Sequence, residues 1–265
     1  MWLELKTIFD TLSISPDVRA IILSATGEKA FTTGLDVQAA SANGPLSEQK
    51  EPVDVARKAQ AIKRHVQEFQ DCIQSIEKCE KRKSLSAGKR CEEVMLTSGG
   101  TAVICVMHGY AFGLAIDIAT CADIRICSSN TKFSVKEVDI GIAADIGTLT
   151  RLPKVVGSFS WVKDVALSAR IFGAEEAYRV GFVSQVAESK QNAVDAALKT
   201  AELLASKSPV AVQGTKELLN HARDHTTADS LRYTGVWNSA AIQTRDMEVA
   251  MLSGLKKTKP RFEKL

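Results

Sequence analysis

The apolar run of residues 101–107, which leads through a glycine turn into a second apolar segment, constrains the fold more than any other part of the chain. Its sequence, Thr-Ala-Val-Ile-Cys-Val-Met, predicts a strand buried on both faces. His108 and Gly109 end this strand, and the pattern after them predicts a helix that starts near Leu114 and ends before Asp123. A buried strand that turns tightly into a helix is typical of an α/β core.

The rest of the chain continues this arrangement. Strands are predicted at residues 20–24, 124–127, 132–135 and 182–186, and helices at residues 1–12, 53–78, 146–152 and over most of the chain after residue 158. Residues 31–36 are predicted to form a loop, residues 80–101 show no periodicity, and Pro153 is predicted to end the short helix before it. Strands therefore concentrate in the first two thirds and helices in the last third, which predicts an α/β core followed by a helical region.

Composition argues against two kinds of partner. The 265 residues are 45% hydrophobic and 25% charged, as in an ordinary folded protein, and the net charge is only +3. The densest basic segment, residues 78–90, has no aromatic residues among its lysines and arginines, so we interpret it as a solvated loop. No apolar run reaches the roughly 20 residues that cross a bilayer. We therefore expect neither a nucleic-acid nor a membrane partner.

The cysteines and the short motifs narrow the chemistry. None of the six cysteines forms a C-x-x-C pair or lies at zinc-ligand spacing from a histidine, so we expect a reducing compartment and no metal. The chain has no G-x-S-x-G, Walker A or G-x-G-x-x-G sequence. These absences argue against hydrolases of the nucleophile-elbow type, P-loop NTPases and dinucleotide-binding enzymes.

Three carboxylates between residues 117 and 145 form the candidate acid/base site. Asp117 lies on the helix that follows the glycine turn, whereas Glu137 and Asp145 lie in strongly apolar sequence. Apolar surroundings raise the pKa of a carboxyl group toward neutrality, where the group can both accept and donate a proton. We therefore interpret the three acids as a site that relocates protons.

Each acid also has a structural explanation. Asp117 is in the first turn of its helix, where the helix dipole favours a carboxylate. Glu137 could belong to a solvated turn, and Asp145 could cap the helix that follows it. These explanations account for the acids separately, but not for their occurrence in one apolar, glycine-rich segment.

A backbone anion site is the second candidate feature. The Gly113–Leu114 peptide lies at the start of the predicted helix, where N–H groups have no intrahelical partner. The loop of Thr33, Gly34 and Leu35 could supply a second N–H group. Two such donors that converge on a thioester carbonyl would stabilise the enolate formed when a neighbouring carbon loses a proton. Alternatively, Gly34 and Gly113 only permit tight turns.

Several segments resemble the enoyl-CoA hydratase/isomerase (crotonase) superfamily over nearly the whole chain. They are Phe-Thr-Thr-Gly-Leu-Asp at residues 31–36, His-Gly-Tyr-Ala-Phe-Gly at 108–113, Ala-Asp-Ile-Arg-Ile-Cys at 122–127 and Gly-Phe-Val-Ser at 181–184. Residues 135–154 and 206–214 resemble the dienoyl-CoA isomerase branch, which has an acid at the position of Asp145. The resemblance implies an α/β fold, with a spiral of ββα repeats in residues 1–190 and a helical trimerisation region in residues 191–265.

The resemblance also implies a reaction and roles for the residues. The branch moves the double bonds of 3,5-dienoyl-CoA to the 2,4 positions in fatty-acid beta-oxidation. By resemblance, Asp145 moves the proton at C2, Glu137 moves the proton at C6, and Asp117 is a supporting acid. The implied oxyanion hole consists of the N–H groups of Leu35 and Leu114, and the implied substrate-binding residues are Phe31, Gly34, Asp36 and Gly113. No cofactor is expected, since coenzyme A is part of the substrate, and a homotrimer or a hexamer is implied.

This chain departs from the family pattern in three places. The family's first β-hairpin and part of its CoA-binding loop would precede residue 1. Residues 82–101 are expected to be either a loop insertion or a mistranslated intervening sequence, and Leu114-Ala115 replaces the more common Gly-Gly. The C-terminal Glu-Lys-Leu differs in one residue from the Ser-Lys-Leu peroxisomal signal, so we expect a peroxisome or a mitochondrion.

Two other functions remain open. An enoyl-CoA hydratase would use the acids at 117 and 137 to add water, but Asp117 is shorter than the usual Glu and the acid at 145 is unexplained. A catalytically silent protein of the same fold would serve as a binding or assembly module, and the missing first hairpin favours this alternative.

Overall fold

The computed structural model of the chain describes residues 2–34, 54–79, 94–97 and 99–264. The helices are α1 Trp2–Ile14, α2 Val55–Glu77, α3 Leu114–Cys121, α4 Thr148–Val155, α5 Phe159–Ser168, α6 Ala174–Arg179, α7 Lys190–Ala205, α8 Pro209–Asp224, α9 Thr227–Ala241 and α10 Arg245–Leu255. The strands are β1 Val18–Leu23, β2 Ala30–Thr32, β3 Val94–Thr97, β4 Gly99–Met107, β5 Tyr110–Phe112, β6 Ile124–Ser128, β7 Lys132–Ser134, β8 Phe172–Gly173 and β9 Gln185–Ala187. A 3-10 helix spans Glu137–Ile140.

The strands form two sheets. The first has the order β3-β1-β4-β6-β9, and its strands are parallel except for β3, which runs antiparallel to β1. The second has the order β2-β5-β7-β8, with β8 antiparallel to β7. β2 and β5 are parallel neighbours, so both end at the same edge of the second sheet. That edge carries the start of α3.

The core lies between the two sheets and the helices that cover them. Residues 102–107 of β4 are all buried, as the continuous apolar run predicts for a strand covered on both faces. Between the sheets, Phe133 stacks on Phe172 at 5.3 Å and meets Phe182 edge to face at 5.5 Å. On the other face of the first sheet, the small residues Ala193, Ala197 and Ala201 of α7 let the helix pack closely on the strands.

The predicted α/β class and helical C-terminal region are confirmed, but some boundaries were wrong. Phe31 belongs to the strand β2 rather than a loop, and β5 lies between β4 and α3. Strands of three residues are too short to show alternation. Pro153 lies inside α4 and does not end it. The helix continues past the proline to Val155, and the Val156 N–H donates to the Leu152 carbonyl. The strand predicted at 182–186 is observed at Gln185–Ala187.

The expected insertion contributes to the first sheet. Residues 82–93 lie outside the described residues, whereas β3 pairs with β1 in the register Ile21 to Leu96. The stretch without periodicity therefore contains an edge strand.

The last two helices, α9 and α10, contain no buried residue. Among the helices that the structure describes, none has the length and apolar character needed to cross a membrane.

Candidate active site

The start of α3 provides a backbone donor. Gly113 precedes the helix with a positive φ of 56°, a conformation that favours glycine, and its N–H donates to the Ser134 carbonyl at 2.9 Å. The next N–H, that of Leu114, belongs to the first helical residue and has no partner within the helix. The sequence thus places an N–H group where it can bind an anion.

The loop after β2 lies against this donor. A Cβ atom on Gly34 would lie 3.7 Å from the Leu114 nitrogen and 3.4 Å from the Phe112 carbonyl oxygen. The two glycine turns therefore lie side by side at Gly34 and Leu114, as the sequence predicts. Phe31 lies in the core, and Leu35 and Asp36 lie outside the described residues.

Glu137 faces the same turn. A Cβ atom on Gly113 would lie 3.3 Å from Oε1 of Glu137, so the carboxyl group approaches the start of α3 closely. Its Oε2 atom is buried and has no hydrogen-bond partner among the described residues. Burial raises the pKa of Glu137, and the nearby charge of Asp145 raises it further.

Asp117 lies one turn further along α3 and is only 2% exposed. Its Oδ1 atom accepts hydrogen bonds from the Thr148 N–H at 2.6 Å and from the Thr148 hydroxyl at 2.8 Å. Burial raises the pKa of Asp117 to about 7, against the lowering effect of the Thr148 hydroxyl, and the charge of Glu137 acts in the same direction as burial. Asp117 is therefore a buried acid that can change its protonation near neutrality.

Asp145 has a different environment. Its side chain is exposed, so the apolar surroundings expected from the sequence are found at Glu137 but not at Asp145 in this chain. Its carbonyl accepts a hydrogen bond from Nε2 of Gln70, on α2, at 2.5 Å. The alternative that Asp145 caps α4 is wrong: the N-cap is Gly147, and Asp117 accepts the hydrogen bond from the first helical N–H.

The three carboxyl groups are thus arranged in one electrostatically coupled series. The charge of Asp145 acts on Glu137, and the charge of Glu137 acts on Asp117. An exposed carboxylate, a partly buried acid and a backbone donor together suit the removal of a proton at one carbon and its return at another. Within the described part of the chain, no group of three or more His, Cys, Asp or Glu residues could hold a metal.

Sequence reasoning missed the residues that surround Asp117. Thr148 binds its carboxylate, and Arg151, one turn later on α4, forms an ion pair with Glu77 of α2 at 3.1 Å. The three-residue spacing of Thr148 and Arg151 places both on one face of a helix. That spacing could have indicated that the two side chains lie on one face of the helix, but not that Asp117 and Glu77 are their partners.

Comparison with known proteins identifies the family. Residues 67–264 match the family model described as enoyl-CoA hydratase/isomerase. The chain belongs to this family. Among its members, the mitochondrial Delta(3,5)-Delta(2,4)-dienoyl-CoA isomerase of Homo sapiens is 39% identical over 246 residues, covering 93% of this chain and 68% of the human protein. The peroxisomal Delta(3,5)-Delta(2,4)-dienoyl-CoA isomerase of Arabidopsis thaliana is 36% identical over 264 residues, covering 100% of this chain and 86% of the plant protein.

Solved structures of the enoyl-CoA hydratase/isomerase family share the fold. The enoyl-CoA hydratase of Bacillus anthracis superposes with a TM-score of 0.81 at 21% identity, covering 99% of this chain and 88% of that one. At this identity the likeness concerns the fold alone. The crotonase-like fold and the family expected from the sequence are both confirmed.

Proposed function

We propose that this chain is a dienoyl-CoA isomerase that converts 3,5-dienoyl-CoA to 2,4-dienoyl-CoA in fatty-acid beta-oxidation. Relatives with this name are 36–39% identical over more than nine tenths of the chain. The observation that supports the proposal most strongly is the unequal environment of two neighbouring acids, Glu137 and Asp145. Asp145 is exposed, whereas Glu137 carries a buried oxygen that has no hydrogen-bond partner in the part of the chain that the structure describes.

The reaction needs a base at C2 and an acid at C6. In this scheme the exposed Asp145 carboxylate takes the C2 proton, and the electrons of the C2–H bond form the enolate. Glu137, whose pKa is raised by burial, gives a proton to C6, and the enolate collapses to the 2,4-diene. Exchange with solvent then removes the proton from Asp145 and returns one to Glu137 before the next turnover. One C–H bond breaks and one forms, so no water or cofactor is consumed.

Backbone donors stabilise the intermediate. The Leu114 N–H would hold the enolate oxygen, together with the Leu35 N–H, and Gly34 and Gly113 leave room for the thioester beside them. Asp117 would act as the supporting acid. It accepts a hydrogen bond from the Thr148 N–H at the start of α4, three residues after Asp145, and so helps to position the loop that carries Asp145.

The binding partners follow from this proposal. Coenzyme A would enter as part of the substrate, with no separate cofactor. The exposed apolar residues of the last helices support a homotrimer or a hexamer of two trimers. The relatives that are named mitochondrial or peroxisomal support one of these two compartments.

The direct test is the appearance of the conjugated 2,4-dienoyl thioester, followed by its ultraviolet absorbance. We expect turnover of a 3,5-dienoyl-CoA by the unchanged protein. Loss of an acid/base group removes typically 10²–10⁴-fold, so Glu137→Gln and Asp145→Asn should each lose that much.

Asp139→Asn is the matched control, because Asp139 lies on the same 3-10 helix, is exposed and pairs with Lys136 at 2.7 Å. Its rate should remain within about twofold. Full activity of Asp145→Asn would contradict the mechanism. Hydration of a 2-enoyl-CoA without dienoyl isomerisation would instead support a hydratase.

A further inference from the structure

A buried ion-pair network lies directly behind the proposed site. Glu77, at the end of α2, accepts a hydrogen bond from Nε of Arg151 at 3.1 Å and pairs on its other oxygen with Arg223 of α8. The side chains of Glu77 and Arg151 are only 10% and 12% exposed. We call these three residues the Arg–Glu–Arg bridge. It joins α2, α4 and the C-terminal helix α8.

The bridge reaches Asp117 through the start of α4. A Cβ atom on Gly147 would overlap Nη1 of Arg151 and would lie 3.8 Å from Oδ1 of Asp117. The guanidinium therefore lies over the bare backbone of Gly147, on the side that Asp117 faces. A side chain at residue 147 would displace the end of the Arg151 side chain from this position.

We propose that Arg151, held in place by Glu77, is the positioning residue for Asp117: it supplies the positive charge that faces this carboxylate and fixes the helix start that the carboxylate caps. The contacts of the Arg–Glu–Arg bridge support this role of Arg151 whatever reaction the site catalyses. The effect of Arg151 on the reaction rate rests on the isomerase function proposed above.

The position of Arg151 explains why such a residue is useful. Glu77 pairs with Arg151, and Arg223 pairs with both Glu77 and Asp224, so the network is balanced as a whole. Arg151 is the member whose guanidinium lies beside Asp117, a carboxyl group that burial pushes toward its neutral form. Because an opposite charge near a carboxyl group favours ionisation, Arg151 helps Asp117 to ionise, in addition to the hydrogen bonds from Thr148.

Several groups face Asp117, and they must be separated experimentally. Thr148 and Arg151 approach from α4, Glu137 from the 3-10 helix, and the buried thiol of Cys121 lies on the same helix, α3. Glu77 of α2 acts from behind Arg151. Replacing Arg151 and Glu77 should therefore change the ionisation of Asp117 in opposite directions.

The test is a carbon-13 NMR titration of the Asp117 carboxyl group, assigned by its loss in Asp117→Asn. Arg151→Met should move the titration of Asp117 upward by up to about one pH unit, as expected for loss of a nearby opposite charge that makes no direct ion pair. Arg151→Lys should restore most of this change because it keeps the charge. Glu77→Gln should leave the titration unchanged or move it downward, because the amide oxygen can still accept the Arg151 hydrogen bond while the negative charge is removed.

Lys216→Met is the matched control, because it removes another largely buried cation of α8, one that pairs with Asp123 at 2.8 Å. It should lower stability without moving the titration of Asp117. If Arg151→Met does not fold, Glu77→Gln still decides the question, because an upward shift of the Asp117 titration in that variant contradicts the proposal. An unchanged titration in folded Arg151→Met, or an upward shift in Glu77→Gln, would overturn the proposal.

Activity provides a second, separate measurement. In an active isomerase, the pH profile of kcat should move with the Asp117 titration in Arg151→Met, while KM changes less. A protein with no isomerase activity but with the expected titration shifts would refute the proposed function and leave the role of Arg151 intact.

Discussion

At the scale of single residues, Asp117 shows how one buried group links stability to pH. Its pKa of about 7 in the folded chain lies above the ordinary value of 3.8. The folded state therefore keeps a proton that the unfolded state loses between these two values. Stability must fall as pH rises from about 4 to about 7, and it stays reduced above that window.

Asp117→Asn tests this linkage. The amide oxygen can still accept the Thr148 hydrogen bonds, but it does not titrate. Between pH 4 and pH 8 the unchanged protein should lose on the order of 3 kcal/mol of unfolding free energy relative to the variant. Urea unfolding at the two pH values measures the difference. Parallel pH dependence of the two proteins would show that Asp117 ionises as it does in water.

At the scale of elements, the turn from β5 into α3 is the part that aligns donor and acid. Gly113 combines a φ of 56° with a ψ of −114°, a sparsely populated conformation that would cost an alanine roughly 1–3 kcal/mol. The new Cβ would also lie 3.3 Å from Oε1 of Glu137 and would push the carboxyl group away.

Gly113→Ala should therefore lose much more activity than its stability alone explains, about 10²-fold in kcat. Gly141→Ala is the control, since Gly141 has a φ of 80° with nothing within 4 Å of an added Cβ. That variant should show similar destabilisation and near-normal turnover. Equal activity losses in the two variants would mean that backbone strain, not the approach to Glu137, is responsible.

The same elements show how far sequence reasoning reaches. The strand at residues 101–107 and the helix from Leu114 could be predicted because apolar periodicity and local turn signals specify them. The apolar sequence around Glu137 agrees with its partial burial, but the catalytic roles of Asp117 and Glu137 stay predictions. The exposure of Asp145 could not, since its flanking apolar residues give no information about which side of the loop meets solvent. The partners of Asp117 were also missed, because Glu77, Arg151 and Thr148 meet only through tertiary packing.

At the scale of the whole molecule, the C-terminal helices carry apolar side chains that the other described residues leave exposed. Their exposed apolar residues are Leu219, Leu231, Val236, Ile242, Met247, Met251, Leu252 and Leu255. A surface of this kind on consecutive helices is typical of an oligomer interface.

Leu231→Asp should therefore dissociate the proposed trimer, because it would bury an unpaired charge at the interface. Light scattering after gel filtration should find the mass of three or six chains for the unchanged protein and a lower mass for this variant. Leu3→Asp, at an exposed position of α1, should keep the original mass. A monomeric unchanged protein would contradict the proposed assembly.

The central claim is that Glu137 gives its proton to C6 while Asp145 takes a proton from C2. Turnover of a 3,5-dienoyl-CoA in heavy water, followed by NMR of the product, tests this claim most directly. Glu137 exchanges with solvent before each turnover, so the 2,4-dienoyl product should carry deuterium at C6, and Glu137→Gln should slow product formation by about 10²–10⁴-fold. A 2,4-dienoyl product without deuterium at C6, or the same label with Glu137→Gln, would contradict the claim.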